Sequence, residues 1–142
     1  MVISATPMTE VFVDTALAIA LMLENDEHHD EAWAKLLDMR SRARLVTTRA
    51  VCLEIGSALH RTRHRAQASS LLASIDADPT FHVVPLSEDL YSEALELFQA
   101  RTDKEWSLTD CVSFVVMRNR GITSALTTDH HFRQAGFEPL LA

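Results

Sequence analysis

Short apolar runs alternate along the chain with longer stretches whose apolar positions recur at spacings of three and four. The runs Glu10-Val11-Phe12-Val13-Asp14, Leu45-Val46-Thr47, Phe81-His82-Val83-Val84, Ile122-Thr123-Ser124-Ala125-Leu126 and Phe137 to Leu141 predict short buried strands. The periodic stretches predict helices. The first runs from Ala16 to Leu23 with Thr15 as its cap, and a second turns Ala32, Trp33, Leu36 and Leu37 inward. A third, from about Arg49 to His64, carries a stripe of Val51, Ile55, Ala58, Leu59 and Thr62, and a fourth spans Gln67 to Ile75. Another opens at Ser87 and runs to about Arg101 with Leu90, Ala94, Leu97 and Phe98 inward. The last follows Ser107-Leu108-Thr109-Asp110, is apolar on almost every side through Met117, and ends at Asn119-Arg120-Gly121.

Strands alternating with helices predict an α/β fold with a mostly parallel central sheet of about four or five short strands, flanked by helices. In such a sheet, sites form beyond the carboxyl ends of the strands. Asp14 ends the first strand and Asp129 follows a later one, so both belong to that edge. Asp110 stands at the mouth of the most apolar helix, and Glu54 borders the Val51 stripe, where it faces a cleft beside the core. Each acid singly has a plainer role in capping or solvation: Ser107-x-x-Asp110 is a capping box, and an anion near a helix N-terminus gains roughly 0.3–1 kcal/mol. Four acids set directly against hydrophobic sequence point instead to one pocket. Clustered carboxylates repel, which raises at least one pKa and favours a bound cation. Mg²⁺ or Mn²⁺ suits oxygen donors of this kind.

At 142 residues and 47% hydrophobic, the chain has the size of one domain with a single core. Residues 1–9 read as a loose tail without the basic flank or apolar stretch of a signal peptide, and residues 10–142 as the domain. No apolar run reaches the length of a membrane span. Cys52 and Cys111 fall in apolar helical patterns and read as buried thiols of a reducing cytoplasm. A net charge of −7 argues against a surface that grips nucleic acid over its whole area, yet leaves room for acids concentrated on a cation.

The segments Phe12-Val13-Asp14-Thr15, the Glu54 helix, Ser107-Leu108-Thr109-Asp110-Cys111-Val112-Ser113-Phe114 and Thr127-Thr128-Asp129-His130-His131-Phe132 resemble the successive motifs of PIN-domain ribonucleases, most of all the VapC-type toxins of type II toxin–antitoxin pairs. The similarity runs from about residue 10 onward. It implies a PIN-like fold in which Asp14, Glu54, Asp110 and Asp129 surround divalent metal, with Asp14 and Asp110 as the firmest ligands. It further implies cytoplasmic, Mg²⁺-dependent hydrolysis of RNA leaving a 5′-phosphate and a 3′-hydroxyl, a small antitoxin partner that blocks the pocket, and a homodimer, for which the Leu53 side of the Glu54 helix is one contact surface. A non-catalytic RNA adaptor of the same fold, or a DNA-directed nuclease, are the alternatives.

Other constellations carry less. His60 and His64 have the spacing of a zinc helix, but Arg61 stands where a metalloprotease has Glu, and both histidines face away from the Val51 stripe. The pairs His28-His29 and His130-His131 lie in polar turns and read as solvated. Ala16 occupies the position of the second Asp that a haloacid-dehalogenase-type phosphatase needs. Arg61, Arg63 and Arg65 fit either phosphate contacts or a solvated helix end. Trp33 and Trp106 read as packing residues rather than base-stacking platforms, and Asp103 with Lys104 as a plain loop.

Overall fold

The computed structural model describes residues 9–141, so the expected tail lies outside the described residues apart from Thr9. The elements are β1 (Glu10–Val13), α1 (Thr15–Met22), α2 (His29–Arg40), β2 (Arg44–Thr48), α3 (Arg49–Ala58), α4 (Thr62–Ala77), β3 (Phe81–Val84), α5 (Glu88–Ala100), α6 (Leu108–Arg120), β4 (Ser124–Leu126), α7 (His130–Gln134) and β5 (Glu138–Pro139). The strands form one sheet of order β3-β2-β1-β4-β5, parallel at every pairing. The expected parallel α/β architecture is therefore the observed one.

That order reverses direction between β1 and β4. From β1 the chain steps outward through β2 to β3, then crosses back by α5 and α6 to lay β4 against the other side of β1. The register Val13↔Leu126 brings the carboxyl ends of the two central strands side by side. Connections diverge at such a point and leave a crevice beyond the strand ends.

Each central strand feeds both faces of the sheet, as the two-residue period requires. Phe12, Val46 and Ala125 point into the larger cluster with α6, while Val11, Val13, Leu45 and Leu126 point into the smaller one with α1 and α2. The α6 helix is buried from Asp110 through Met117, matching its apolar sequence. Gly121 closes it at φ 70°, a left-handed conformation that a side chain would disfavour. Cys52 and Cys111 are buried free thiols. No helix among the described residues is long and apolar enough to cross a membrane.

The structure corrects several local expectations. The helix expected from Arg49 to His64 breaks after Ala58. Leu59 drops into the core at 3% exposure, and the chain turns so that Ala68 and Ile75 of α4 pack on the same cluster. Ala58 and Thr62 are exposed, and α4 begins earlier and ends later than the Gln67–Ile75 stretch. Trp33, Leu37 and Phe98 are exposed rather than inward. Trp33 and Leu37 rim an open apolar cleft of about 280 Å³ floored by Leu17, Leu21 and Ile75. Asp14, not Thr15, is the N-cap residue of α1, and it makes no side-chain capping bond. The short helix α7 falls where the sequence carries only a polar turn.

Candidate active site

Asp14 follows β1 directly, so the strand's burial carries the carboxylate with it to 4% exposure. Thr47 Oγ1 donates to the Val13 carbonyl at 2.8 Å and fixes this strand end against β2. Thr127, fully buried just past β4, donates its hydroxyl to Asp14 Oδ2 at 2.9 Å. The Thr127 Oγ1 in turn accepts the Asp129 N–H at 3.0 Å. One side chain thus sets the spacing between two of the predicted acids. Burial raises the Asp14 carboxyl from its ordinary 3.8 to about 7. The Thr127 hydroxyl and the Thr15 N–H oppose that rise, and the charges of Asp110 and Asp129 add to it.

Asp129 is the N-cap of α7, its Oδ1 accepting the His131 N–H at 2.9 Å. Phe132, with no exposed surface, anchors this short helix against Phe12 and Phe114. Asp110 completes the capping box of α6: its N–H donates to Ser107 Oγ at 3.0 Å, and its Oδ2 accepts the Ser107 N–H at 3.1 Å. Capping does not exhaust that carboxylate, because His131 Nδ1 stands 3.1 Å from the same Oδ2. Burial raises the Asp110 pKa; the Ser107 N–H opposes this, Asp129 reinforces it, and His131 lowers it.

The three aspartates are consequently one group, joined through Thr127 and His131. Their charges act on one another, and none of them is paired with Arg or Lys among the described residues. Glu54 stands apart. It is half-buried on α3 and lines a cleft of about 410 Å³ with Leu108, Thr109 and Val112, the turn of α6 that carries Asp110. Among the described residues it makes no hydrogen bond or ion pair to the three aspartates. The structure therefore links Asp14 to Asp129 through Thr127 and Asp110 to Asp129 through His131, and sets Glu54 in the cleft lined by the first turns of α6.

His131 is the residue that the sequence pattern hid. Its Nδ1 lies 3.1 Å from Asp110 and 3.3 Å from Asp129, with the side chain 20% exposed. In a row of polar residues it looks solvated; only the turn of α7, which folds position 131 back over the Asp129 cap, brings it inward. His60 lies in the α3–α4 break and His64 in the first turn of α4, and His60 Nδ1 contacts the Ser57 carbonyl, so they form no helical metal pair. Trp106 is a packing residue as expected: it meets Phe114 edge-on at 5.0 Å, lies under Arg101, and donates to Gln134 Oε1 at 3.0 Å. That bond ties the loop before α6 to α7, and so Asp110 to Asp129. Asp103 sits in the exposed loop, held to about 2 by Arg101.

The donor set suits a hard divalent cation. Three carboxylates lie close enough for their charges to act on one another, burial disfavours the Asp14 charge, and the buried Thr15 Oγ1 beside it has no hydrogen-bond partner among the described residues. A doubly charged ion would relieve both the repulsion and the desolvation.

A parallel α/β sheet whose central strands end in such a cluster defines the class. The chain belongs to the PIN-domain family, which it matches over residues 11–138, and its resemblance to VapC-type proteins holds. It is 33% identical over 128 residues to the 23S rRNA-specific endonuclease VapC20 of Mycobacterium tuberculosis, covering 89% of this chain and 95% of that protein. The crystal structure of VapC20, a sarcin–ricin loop cleaving toxin, superposes with a TM-score of 0.82 at 28% identity, covering 93% of this chain and 99% of that one. VapBC2 from Rickettsia felis, bound to a promoter DNA fragment, shares the fold at a TM-score of 0.68 and 12% identity, over 92% of this chain and 97% of that one.

Proposed function

We propose that this protein is a metal-dependent endoribonuclease, the toxin of a type II toxin–antitoxin pair, acting through Asp14, Glu54, Asp110 and Asp129. The observation that carries this reading is the burial of Asp14 beside two further aspartates at the crevice between β1 and β4, with no Arg or Lys among the described residues paired to balance them. Such an arrangement costs stability unless a cation or a proton occupies it. Similarity to VapC20 supports RNA, and ribosomal RNA in particular, as the substrate class.

Mg²⁺ or Mn²⁺ would be held by Asp14 and Asp110, with Glu54 and Asp129 acting partly through water. When bound, the ion supplies Lewis-acid stabilisation of the charge that develops on the phosphodiester. The chain itself does the positioning. Thr127 sets Asp14 against Asp129, and the Ser107 box sets Asp110. In this reading Glu54, in the open cleft lined by Leu108, Thr109 and Val112, orients the attacking water and receives its proton. In-line attack of that water would leave a 5′-phosphate and a 3′-hydroxyl. Fragment ends carrying a 2′,3′-cyclic phosphate would contradict the mechanism.

A small antitoxin is the proposed partner, inserting a basic side chain into the acidic pocket. The apolar cleft rimmed by Trp33 and Leu37 supports this, since it reaches Val13 and Thr47 beside Asp14. We further propose a cytoplasmic homodimer through the α3 and α5 surface, where Leu53 is 68% exposed and Tyr91 42% exposed. Residues 10–142 form the nuclease domain in this reading, and the exposed Arg61, Arg63 and Arg65 contact RNA phosphate or an acidic segment of the antitoxin. Cleavage of total RNA by the purified protein with Mg²⁺, Mn²⁺ or EDTA tests the reading: metal-dependent cutting is expected, and cutting in EDTA would contradict it.

A further inference from the structure

An aspartate presents a chosen oxygen to a cation only if something stops its carboxylate from turning. The last torsion of the side chain is broad and nearly two-fold, so a carboxylate without donors offers either oxygen. In this pocket the donors are sorted. Asp110 Oδ2 accepts the Ser107 N–H at 3.1 Å, and the same oxygen meets His131 Nδ1 at 3.1 Å. Asp129 Oδ1 accepts the His131 backbone N–H at 2.9 Å and lies 3.3 Å from that ring nitrogen. Among the described residues, the hydrogen bonds to these two carboxylates all fall on one oxygen of each, and His131 contributes to both. An ionised carboxylate only accepts, so Nδ1 carries a hydrogen here whether the ring is neutral or charged.

We infer that His131 is a positioning residue: its Nδ1–H fixes the carboxylates of Asp110 and Asp129 so that Asp110 Oδ1 and Asp129 Oδ2 are the oxygens presented to the cation. This rests on the metal pocket of the function proposed above and keeps its ion, Mg²⁺ or Mn²⁺, held by oxygen. The ring acts through the carboxylates and does not itself bind the ion. Partners of this kind orient ligating carboxylates, and losing one typically costs about 10–100-fold in metal affinity. A hydrogen set between acids from α6 and α7 also offsets part of their repulsion. The fold supplies the position independently of the ring. Phe132 is buried beside it, and the His131 N–H bond to Asp129 belongs to the backbone, so it survives exchange of the side chain. Variants at this position therefore report on the ring alone. His130, with its side chain 74% exposed and Nδ1 3.8 Å from Asp129, is the control position.

The test is Mn²⁺ binding by the full chain, read from the paramagnetic resonance signal of free Mn²⁺, for wild type, His131→Leu, His131→Asn and His130→Ala. Leucine keeps bulk without a donor, and His131→Leu should bind at least about tenfold more weakly. Asparagine carries an N–H as many bonds from the backbone as Nδ1, so His131→Asn should recover most of that loss. His130→Ala should match wild type. Melting in EDTA establishes that each variant is folded; if His131→Leu is not, His131→Gln, whose amide lies one bond too far, takes its place. The imidazole ¹⁵N spectrum of wild type gives a reading without substitution: Nδ1 of His131 should stay protonated when Mg²⁺ is bound. Undiminished Mn²⁺ binding by the folded donor-free variant, no recovery in His131→Asn, or loss of the Nδ1 hydrogen with Mg²⁺ would each overturn the inference. Wild type that binds no Mn²⁺ would instead overturn the metal pocket itself, a result distinct from the other three.

Discussion

Thr127 donates its hydroxyl to Asp14 across 113 positions of sequence, at 2.9 Å and out of contact with solvent. Because the same oxygen accepts the Asp129 N–H, one side chain registers two carboxylates from neighbouring strands. Thr127→Val keeps the shape and removes both bonds. A buried polar group left without its partner costs about 1–3 kcal/mol. Urea denaturation in EDTA should show a loss of that order, and RNA cleavage should fall further than stability does. Full stability in the variant would mean that the bond holds nothing together.

The buried Asp14 makes the metal-free fold sensitive to pH in a stated direction. In the unfolded chain the carboxyl releases its proton near 3.8, whereas in the fold it keeps it to about 7. Between those values the folded state holds the extra proton, so stability falls as pH rises through the window. Melting in EDTA should therefore be higher at pH 5 than at pH 8, by on the order of a few kcal/mol. Asp14→Asn should flatten that dependence. An unchanged slope in Asp14→Asn would assign the effect to other groups.

Asp110 carries opposing contributions. Its cap onto Ser107 stabilises α6, while burial and the charge of Asp129 disfavour its ionised form. Asparagine retains an oxygen for the cap and removes the charge. Asp110→Asn should thus melt higher than wild type in EDTA yet respond less to Mg²⁺. Equal Mg²⁺-dependent shifts in the two proteins would remove Asp110 from the ligand set.

Leu53 projects from α3 beside Glu54 with two thirds of its surface open. Leu53→Glu at that face should leave the melting temperature of the monomer close to wild type, since exposed substitutions usually shift stability by less than about 0.5 kcal/mol. Light scattering should find wild type dimeric and the variant monomeric. A monomeric wild type would contradict the proposed interface.

The fold was largely legible in the hydrophobic pattern, because a parallel strand must be apolar on both faces. Val11, Phe12 and Val13 show this directly, splitting between two clusters. The positions of Asp14, Asp110 and Asp129 followed from strand ends and helix starts. What stayed hidden depended on tertiary packing. Leu59 ends α3 by entering the core, which no spacing rule announces, and Trp33 with Leu37 line an open cleft that reads as a core face by periodicity. His131 was obscured because its inward position depends on a short helix anchored by Phe132, in a stretch whose composition is that of a turn. Glu54 was expected to face a cleft and does, lining it with Leu108, Thr109 and Val112.

The most direct measurement is the initial rate of cleavage of total RNA, with Mg²⁺ or Mn²⁺, by wild type and by Asp14→Asn, Glu54→Gln, Asp110→Asn and Asp129→Asn. If the four acids act as one site, each substitution should lower the rate by at least about a hundredfold, as expected of groups whose removal disturbs a shared transition-state interaction, while the protein stays folded. Wild-type rates in folded Asp14→Asn or Asp110→Asn would contradict the account, whatever the other two variants do.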